Sequence, residues 1–421
     1  MKVEVLTAAS ELGPRGWDEL LGSADFGLSQ TWLGVLEGVV AVRSGVSAPG
    51  VGTAAVAGVS APGVGVAEDS GGSSTRSGTA VRPFYLIAHD GHSRTVAGLA
   101  AHLMTRDAPA WDFYRLDRVF RRLAAMPDRD ERGFVGVRGT EPLVLMPHLL
   151  LGGRQTAHGR MLLAPWLSGD ARRQAVRAVL GRVEELGTQI GARALAFMFV
   201  DEDDPLRDEL TDRGYLSFLH ASAGIMDIDF DSFNGYLSRF SAHRRQRIRK
   251  ELRSFGEAGL VFSHHPLGEV VEQITPLGMA LESRYGAEGD TVAAFQASLR
   301  VVSDAVGDRT VVLTAEQGGQ IRGYVIAMRW RDALILRSAG FDYDFKGRLP
   351  LYYGVVFYHA VEYALACGLR RIYYGIESAA AKASRGCRIV DQYGMVYGLD
   401  AEARTALSQV LHGKIAADQP R

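Results

Sequence analysis

The sequence predicts an α/β (α+β) chain of two successive units, each a mixed, largely antiparallel sheet flanked by helices. Three observations predict it. The 421 residues, 47% of them hydrophobic, suffice for more than one core. Alternating or continuously apolar runs, the signature of strands, are interleaved with stretches whose apolar positions recur at helical spacing. The second half then repeats the order of the first.

In the first half, FGLSQTWLGVLEGVV (26–40) reads as a helix, and FYLIAHDGHSRTVAGLAAHLM (84–104) as a hairpin turning at Asp90-Gly91. Between them GVSAPGVG occurs at 45–52 and again at 58–65, followed by Ser- and Gly-rich sequence. Residues 43–82 have too few large side chains to offset their ordering entropy and read as a mobile insertion. A helix over 171–191, a buried strand over 194–200, a short helix from Pro205 to Arg213 and a strand over 223–230 complete the unit.

In the second half, helices around 231–256 and 266–307 precede three strands, TVVLTAE, IRGYVIAMRW and ALILRSAG. The apolar helix LYYGVVFYHAVEYALACG then leads through Gly368 as C-cap into the strand RRIYYGI and a final strand. Helix, helix, three antiparallel strands, helix, strand and final strand is the order of the GNAT acyltransferase fold. The expected architecture is therefore a tandem of GNAT-like units: residues 1–225 with the insertion, and a catalytic unit at 226–421.

A net charge of −1 and a pI near 6.8 give no global attraction to nucleic acid or membrane, so any polyanion site must be a local patch. No apolar run approaches about 18 residues, and MKVEVLTAASELG lacks the apolar core of a signal peptide. A soluble, cytoplasmic protein without membrane contact is expected. Cys367 and Cys387 are the only cysteines, which excludes a disulfide framework and reads as two buried thiols. The histidines lack metal-ligand spacing, and no metal is expected. Walker, HExxH, GxSxG and complete GxGxxG motifs are absent.

Two patterns carry chemistry. In YYGIESAAAKASRGC (373–387), small neighbours would leave the Lys382 ammonium facing either water or a substrate. Amide formation from an activated acyl donor needs positive charge where an oxyanion or leaving group develops, and Lys382 could supply it; the plainer alternative is a solvated lysine whose stem covers apolar surface. The second pattern is the crowd of Arg244, Arg245, Arg247, Arg249, Lys250 and Arg253 on one predicted helix, with Ile248, Leu252 and Phe255 as its buried stripe. Such a face would bind phosphates of a tRNA acceptor stem or of coenzyme A, or be a solvated surface partly neutralised by Glu251 and Glu257. Like charges four apart at Arg245, Arg249 and Arg253 disfavour the isolated helix, and an anionic partner relieves that.

Glu377, Asp391 and Glu362 are candidate general bases, with Glu377 first because it is near Lys382; Glu362 lies one turn from His359, which is equally compatible with a buried pair. Tyr353, Tyr374, Asp391 and Tyr393 are candidates for the substrate pocket, although the tyrosines also suit a core.

The second half resembles the Fem family of aminoacyl-tRNA-dependent transferases. FSAHRRQRIRKELRSFGEAGLVF (240–262) is similar to that family's Thr-Arg-x-x-Ile helix, with Arg245 and Ile248 at the matching positions and Arg244 in place of the threonine. Pro350, the long apolar helix, Gly368 and the strand ending at Gly375 resemble its Pro…Ala…Gly…Gly-Ile run. AKASRG (381–386) falls where the family has Phe-Lys-x-x-Phe-Gly: Lys382 and Gly386 match, while Ala381 and Arg385 replace the aromatics. The resemblance implies charge stabilisation at the tRNA end by Lys382, no permanently bound cofactor, and aminoacyl-tRNA as co-substrate; the expected donor or phosphate contacts are Arg244, Arg245, Arg247, Arg249, Lys250 and Arg385. With both aromatics gone, the expected acceptor is a small-molecule amine, in secondary metabolism such as antibiotic biosynthesis. An acyl-CoA-dependent N-acyltransferase is the alternative, but FKGRLPLYYGVV (345–356) does not meet the Arg/Gln-x-x-Gly-x-Gly/Ala pattern that cradles the CoA pyrophosphate. A catalytically inactive GNAT pair that only binds is the alternative of another class. Oligomeric state is not legible.

Overall fold

The computed structural model describes residues 1–43, 81–108, 113–125, 142–154, 158–284, 291–345, 347 and 349–412. The expected insertion lies outside the described residues except at its ends, where Arg43 closes a helix and Val81 and Arg82 open a strand.

Both halves lay down the same succession. In the first, β1 (Lys2–Leu6), α1 (Gln30–Arg43), β2 (Val81–His89) and β3 (Thr95–Met104) are followed by α2 (Leu116–Ala125), β4 (His148–Leu151), the short β5 (Leu162–Leu163), α3 (Gly169–Gln189), β6 (Ala194–Asp201), α4 (Leu206–Asp212) and β7 (Leu216–Asp227). In the second, α5 (Phe233–Ser238), α6 (Ala242–Glu257), β8 (Val261–His265), α7 (Leu267–Arg284) and α8 (Val292–Val306) precede β9 (Thr310–Gln317), β10 (Gln320–Trp330) and β11 (Ala333–Phe341). The long apolar helix that follows is three pieces, α9 (Leu351–Tyr353), a π-helical segment Gly354–His359 and α10 (Ala360–Ala366), ahead of β12 (Arg371–Ile376), α11 (Ala379–Ala383), β13 (Arg388–Gly398) and α12 (Ala401–His412).

Pairing repeats as well. β1 to β4 form an antiparallel run and β4 pairs β6 in parallel; β8 to β11 form an antiparallel run and β11 pairs β12 in parallel. This is a GNAT-like unit twice over, in one mixed sheet flanked by helices. The last strands are exchanged. β13 pairs β6 of the first half and β7 pairs β12 of the second, with β13 and β7 side by side, so all but β5 lie in one order: β1-β2-β3-β4-β6-β13-β7-β12-β11-β10-β9-β8. The expected boundary at 225/226 falls inside β7, a strand the first half contributes to the second. Met395 of β13 is fully buried among Val179, Leu180, Leu195 and Phe197 of the first half. Each such apolar side chain contributes roughly 1.5–3 kcal/mol, so neither half's core is complete without the other's last strand.

Candidate functional site

The site forms where β12 ends. Tyr373 and Tyr374 are successive on this strand and point to opposite faces of the sheet. Tyr374 is stacked on Phe357 of the π-helical segment at 4.7 Å between ring centroids, whereas Tyr373 meets His158 from the first half at 5.6 Å. Tyr374 is thus a core aromatic, and its expected place in a substrate pocket is corrected.

Beyond Tyr374 the backbone leaves the strand in a left-handed conformation. Gly375, Glu377 and Ser378 have φ of 67°, 67° and 52°. For Glu377 and Ser378, which carry a Cβ, this costs about 1–3 kcal/mol each and needs surrounding structure to hold it. Lys382 provides the hold. Its Nζ donates to the carbonyl oxygens of Gly375 (2.6 Å) and Ile376 (2.7 Å) from the helical turn that follows. The stem reaches them across Gly224 of β7, where a Cβ would stand 2.6 Å from Lys382 Cδ. The expectation of an unshielded ammonium is corrected: Lys382 is 2% exposed, because the alanines and Gly224 let it sink against the sheet. Burial pushes its pKa down to about 8, opposed by the negative field of Glu377. Glu377 itself is exposed on the strained turn.

Arg385 is corrected more strongly. At 1% exposure it cannot reach a phosphate. Its Nη2 donates to both Glu251 carboxylate oxygens (3.1 and 2.9 Å), its Nε to Tyr358 Oη (2.8 Å) and its Nη1 to Ser384 Oγ (3.0 Å), and the guanidinium lies 3.7 Å above the Tyr353 ring. Tyr358 also donates to Glu251. Tyr353 is therefore a platform for Arg385. The widened π-helical turn carries Tyr358 into this network, and Gly354 in the same turn allows Phe255 of α6 to approach to 2.9 Å from where a Cβ would be.

Glu251 is the residue that sequence reasoning misplaced. The buried stripe of α6 is Ile248, Glu251 and Phe255, with Leu252 half-buried, so the acid expected to neutralise the surface is turned inward and consumed. Its spacing of three from Ile248 and four from Phe255 was the available signal. What remains outside is cationic. Arg249, Lys250 and Arg253 are exposed and Arg244 is half-exposed, and none of the four makes an ion pair among the described residues. Arg247 pairs with Glu251 at 3.2 Å, and Arg245 donates to the Phe240 carbonyl that precedes the helix. The Arg385–Glu251 bridge thereby ties the basic helix to the turn that Lys382 holds.

The remaining candidates disperse. Asp391 of β13 accepts from Ser222 Oγ of β7 at 2.6 Å, two residues along β7 from Gly224. Tyr393 of β13 packs against the first half's core under the Arg207 guanidinium at 3.9 Å and does not join the site. Glu362 is exposed on α10, while buried His359 is bonded to the Ser263 carbonyl at 2.8 Å with its pKa lowered by burial, so the two do not form a buried pair. Cys387 is buried, but Cys367 is exposed, contrary to expectation. Lys346 and Arg348, from the stretch compared with the CoA pattern, lie outside the described residues. Among the described residues no group of three or more His, Cys, Asp or Glu side chains could hold a metal, and no helix is long and apolar enough to cross a membrane.

The sequence profile of the FemAB-like family, described as peptidoglycan biosynthesis/recognition, matches residues 155–419, from the close of the first unit through the whole second one. The chain belongs to the FemAB-like family. Family membership places it among acyl- or aminoacyl-transferring proteins. Of solved structures, it is similar to FemX (10% identity over 78% of this chain and 89% of that one, TM-score 0.49) and to a tandem GNAT protein from the clavulanic acid biosynthesis pathway (12%, 95% and 99%, TM-score 0.49). It is also similar to the C-terminal DUF2156 domain of a putative lysylphosphatidylglycerol synthetase from Agrobacterium fabrum (13%, 72% and 95%, TM-score 0.44). No curated protein sequence matches it.

Proposed function

We propose that this FemAB-like protein transfers an aminoacyl group from a charged tRNA to the amine of a small molecule, forming an amide. The observation that supports it is the outer face of α6, where Arg249, Lys250 and Arg253 are exposed with no counter-ion among the described residues and the helix's one central acid is buried against Arg385. Exposed cations clustered within about one helical turn suit a phosphate backbone. In this scheme the acceptor nitrogen attacks the ester carbonyl, a C–N bond forms, the ester C–O bond breaks, and the ribose oxygen departs. Glu377, exposed on the turn, takes the proton released from nitrogen and passes it to that oxygen. Lys382 is a positioning residue: it fixes the backbone that presents Glu377 and contributes its positive field through that turn rather than by contact.

Incubation with a mixed charged tRNA pool or an acyl-CoA pool, and a panel of amines, tests this by mass spectrometry of the amide products. Products are expected from the tRNA pool alone, and ribonuclease treatment of that pool is expected to abolish them. Formation that persists after ribonuclease, or that requires the acyl-CoA pool, rejects tRNA as the donor carrier.

A further inference from the structure

The two units part their strands in the same way but treat the parting differently. β4 and β6 pair only between His148–Leu151 and Ala194–Phe197, and β11 and β12 only between Ala333–Ile335 and Arg371–Tyr373. Two residues beyond the last pair, Phe199 on β6 has φ of 62° and Gly375 on β12 has φ of 67°. Glycine takes that conformation freely. Phenylalanine does not, so surrounding structure must hold Phe199 there.

Residues 158–160 hold it, as a strap laid between the parted strands of the first unit. The Gly159 N–H donates to the Phe199 carbonyl at 3.0 Å on the β6 side, and the Arg160 N–H to the Gly152 carbonyl at 3.0 Å on the β4 side. The approach is close: a Cβ at Gly159 would stand 1.9 Å from the Met198 carbonyl oxygen. Arg160 Nη2 fastens the strap's far end to Asp201 at 2.7 Å. In the second unit, among the described residues, no backbone hydrogen bond of this kind enters the parting of β11 and β12.

The first residue of the strap crosses to that second unit. The His158 side chain, 11% exposed, meets Tyr373 edge to face, with 5.6 Å between ring centroids and 85° between planes, on the side of β12 opposite Tyr374. Tyr373 is the last residue of β12 in register with a strand on both sides, Ile335 of β11 and Ile225 of β7. The next pair is Ile376 with Ala223, so Tyr374 and Gly375 together stand against Gly224. Slack at Tyr373 is therefore passed straight to the turn that follows.

We propose that His158 is a positioning residue for the transfer site: held by its strap in the first unit, it fixes Tyr373 and so the point from which β12 departs into the turn that carries Glu377. A strap bonded to both strands of one unit is a rigid support, and an edge-to-face ring pair is a directional contact. The first unit thereby takes part in the second unit's site. The effect on activity rests on the transfer proposed above; the effect on the turn does not.

Amide hydrogen exchange of the full chain, read by mass spectrometry, tests it in His158→Ala and in His158→Phe, which keeps a ring. In His158→Ala, peptides covering 374–387 are expected to exchange at least about tenfold faster while those of α6 and β9 stay as in the parent; in His158→Phe all are expected within about twofold of the parent. With charged tRNA and an amine acceptor, kcat of His158→Ala is expected to fall about tenfold with KM for the tRNA within about twofold, because the outer face of α6 is untouched, and His158→Phe is expected to recover it. Unchanged exchange at 374–387 in folded His158→Ala, acceleration spread evenly over both units, or an unchanged kcat overturns the proposal. If His158→Ala does not fold, Tyr373→Leu, which removes the same contact from the other side, decides by the same peptides. A parent that forms no amide rejects the transfer reading, and the exchange of 374–387 then decides the strap's role by itself.

Discussion

The 382–386 turn and the outer face of α6 are joined by one salt bridge yet treat positive charge in opposite ways. In the turn, both cations are buried and every strong contact is internal: Lys382 on two carbonyls, Arg385 on Glu251, Tyr358 and Ser384. On the helix, Arg249, Lys250 and Arg253 are exposed with no ion pair among the described residues. A cation exhausted by internal acceptors builds the site; one left over is available to a partner. Similar residue types therefore divide into scaffold and contact, and substitutions should separate them.

The largest effect belongs to Arg385→Ala, which leaves Glu251 and its tyrosine partner around an uncompensated buried charge. A loss of about 3–5 kcal/mol in urea unfolding is expected. Pairing Arg385→Met with Glu251→Leu removes both charges and should recover most of it; an unrecovered double variant would show that the bridge is not what the single substitution breaks.

Lys382→Met comes next, at about 2–3 kcal/mol, because the Gly375 and Ile376 carbonyls lose their donor while the stem's volume is kept. It should also change the pH dependence of stability. Burial holds the folded pKa near 8, below its ordinary value of 10.5. Below pH 8 both folded and unfolded chains carry the proton and the fold bears the full penalty. As pH rises from about 8 towards 10.5 the folded lysine releases its proton before the unfolded one does, so this group's contribution to stability rises across that window. The difference between parent and Lys382→Met should therefore grow in the parent's favour with pH; a flat difference would place the ammonium in contact with water.

The smallest effect on folding and the most selective on binding is expected for Arg249→Gln, Lys250→Gln and Arg253→Gln together. The unfolding transition should hardly move. The slope of log affinity for charged tRNA against log salt should fall by about 2–3. An unchanged slope would remove this face from donor binding.

Much of the fold was legible locally. The alternation in β9 to β11, the helical spacing of α3 and the Asp90-Gly91 turn are short-range signals, and the elements form where those signals lie. The exchange of β7 and β13 was not, because which strand pairs with which is settled between segments more than 150 residues apart, as in Ala221 with Gln392. The π-helical widening at Gly354–His359 is equally hidden in an apolar run that reads as ordinary helix. Residue type and order single out Lys382, Glu377 and the α6 cations as candidates. Their exposure is not legible in the same way, since an alanine-rich neighbourhood looks open in sequence but in three dimensions lets a long side chain lie flat against a glycine of another strand.

The placement of β13 has a consequence for synthesis on the ribosome. Until residues 388–398 have emerged, β6 and β7 lack the neighbour that lies between them, and each presents an open row of amide and carbonyl groups. Folding of the N-terminal half therefore waits on a segment that follows it by a whole further unit, and a chain stalled before Arg388 would carry two sticky edges that invite pairing with another nascent copy.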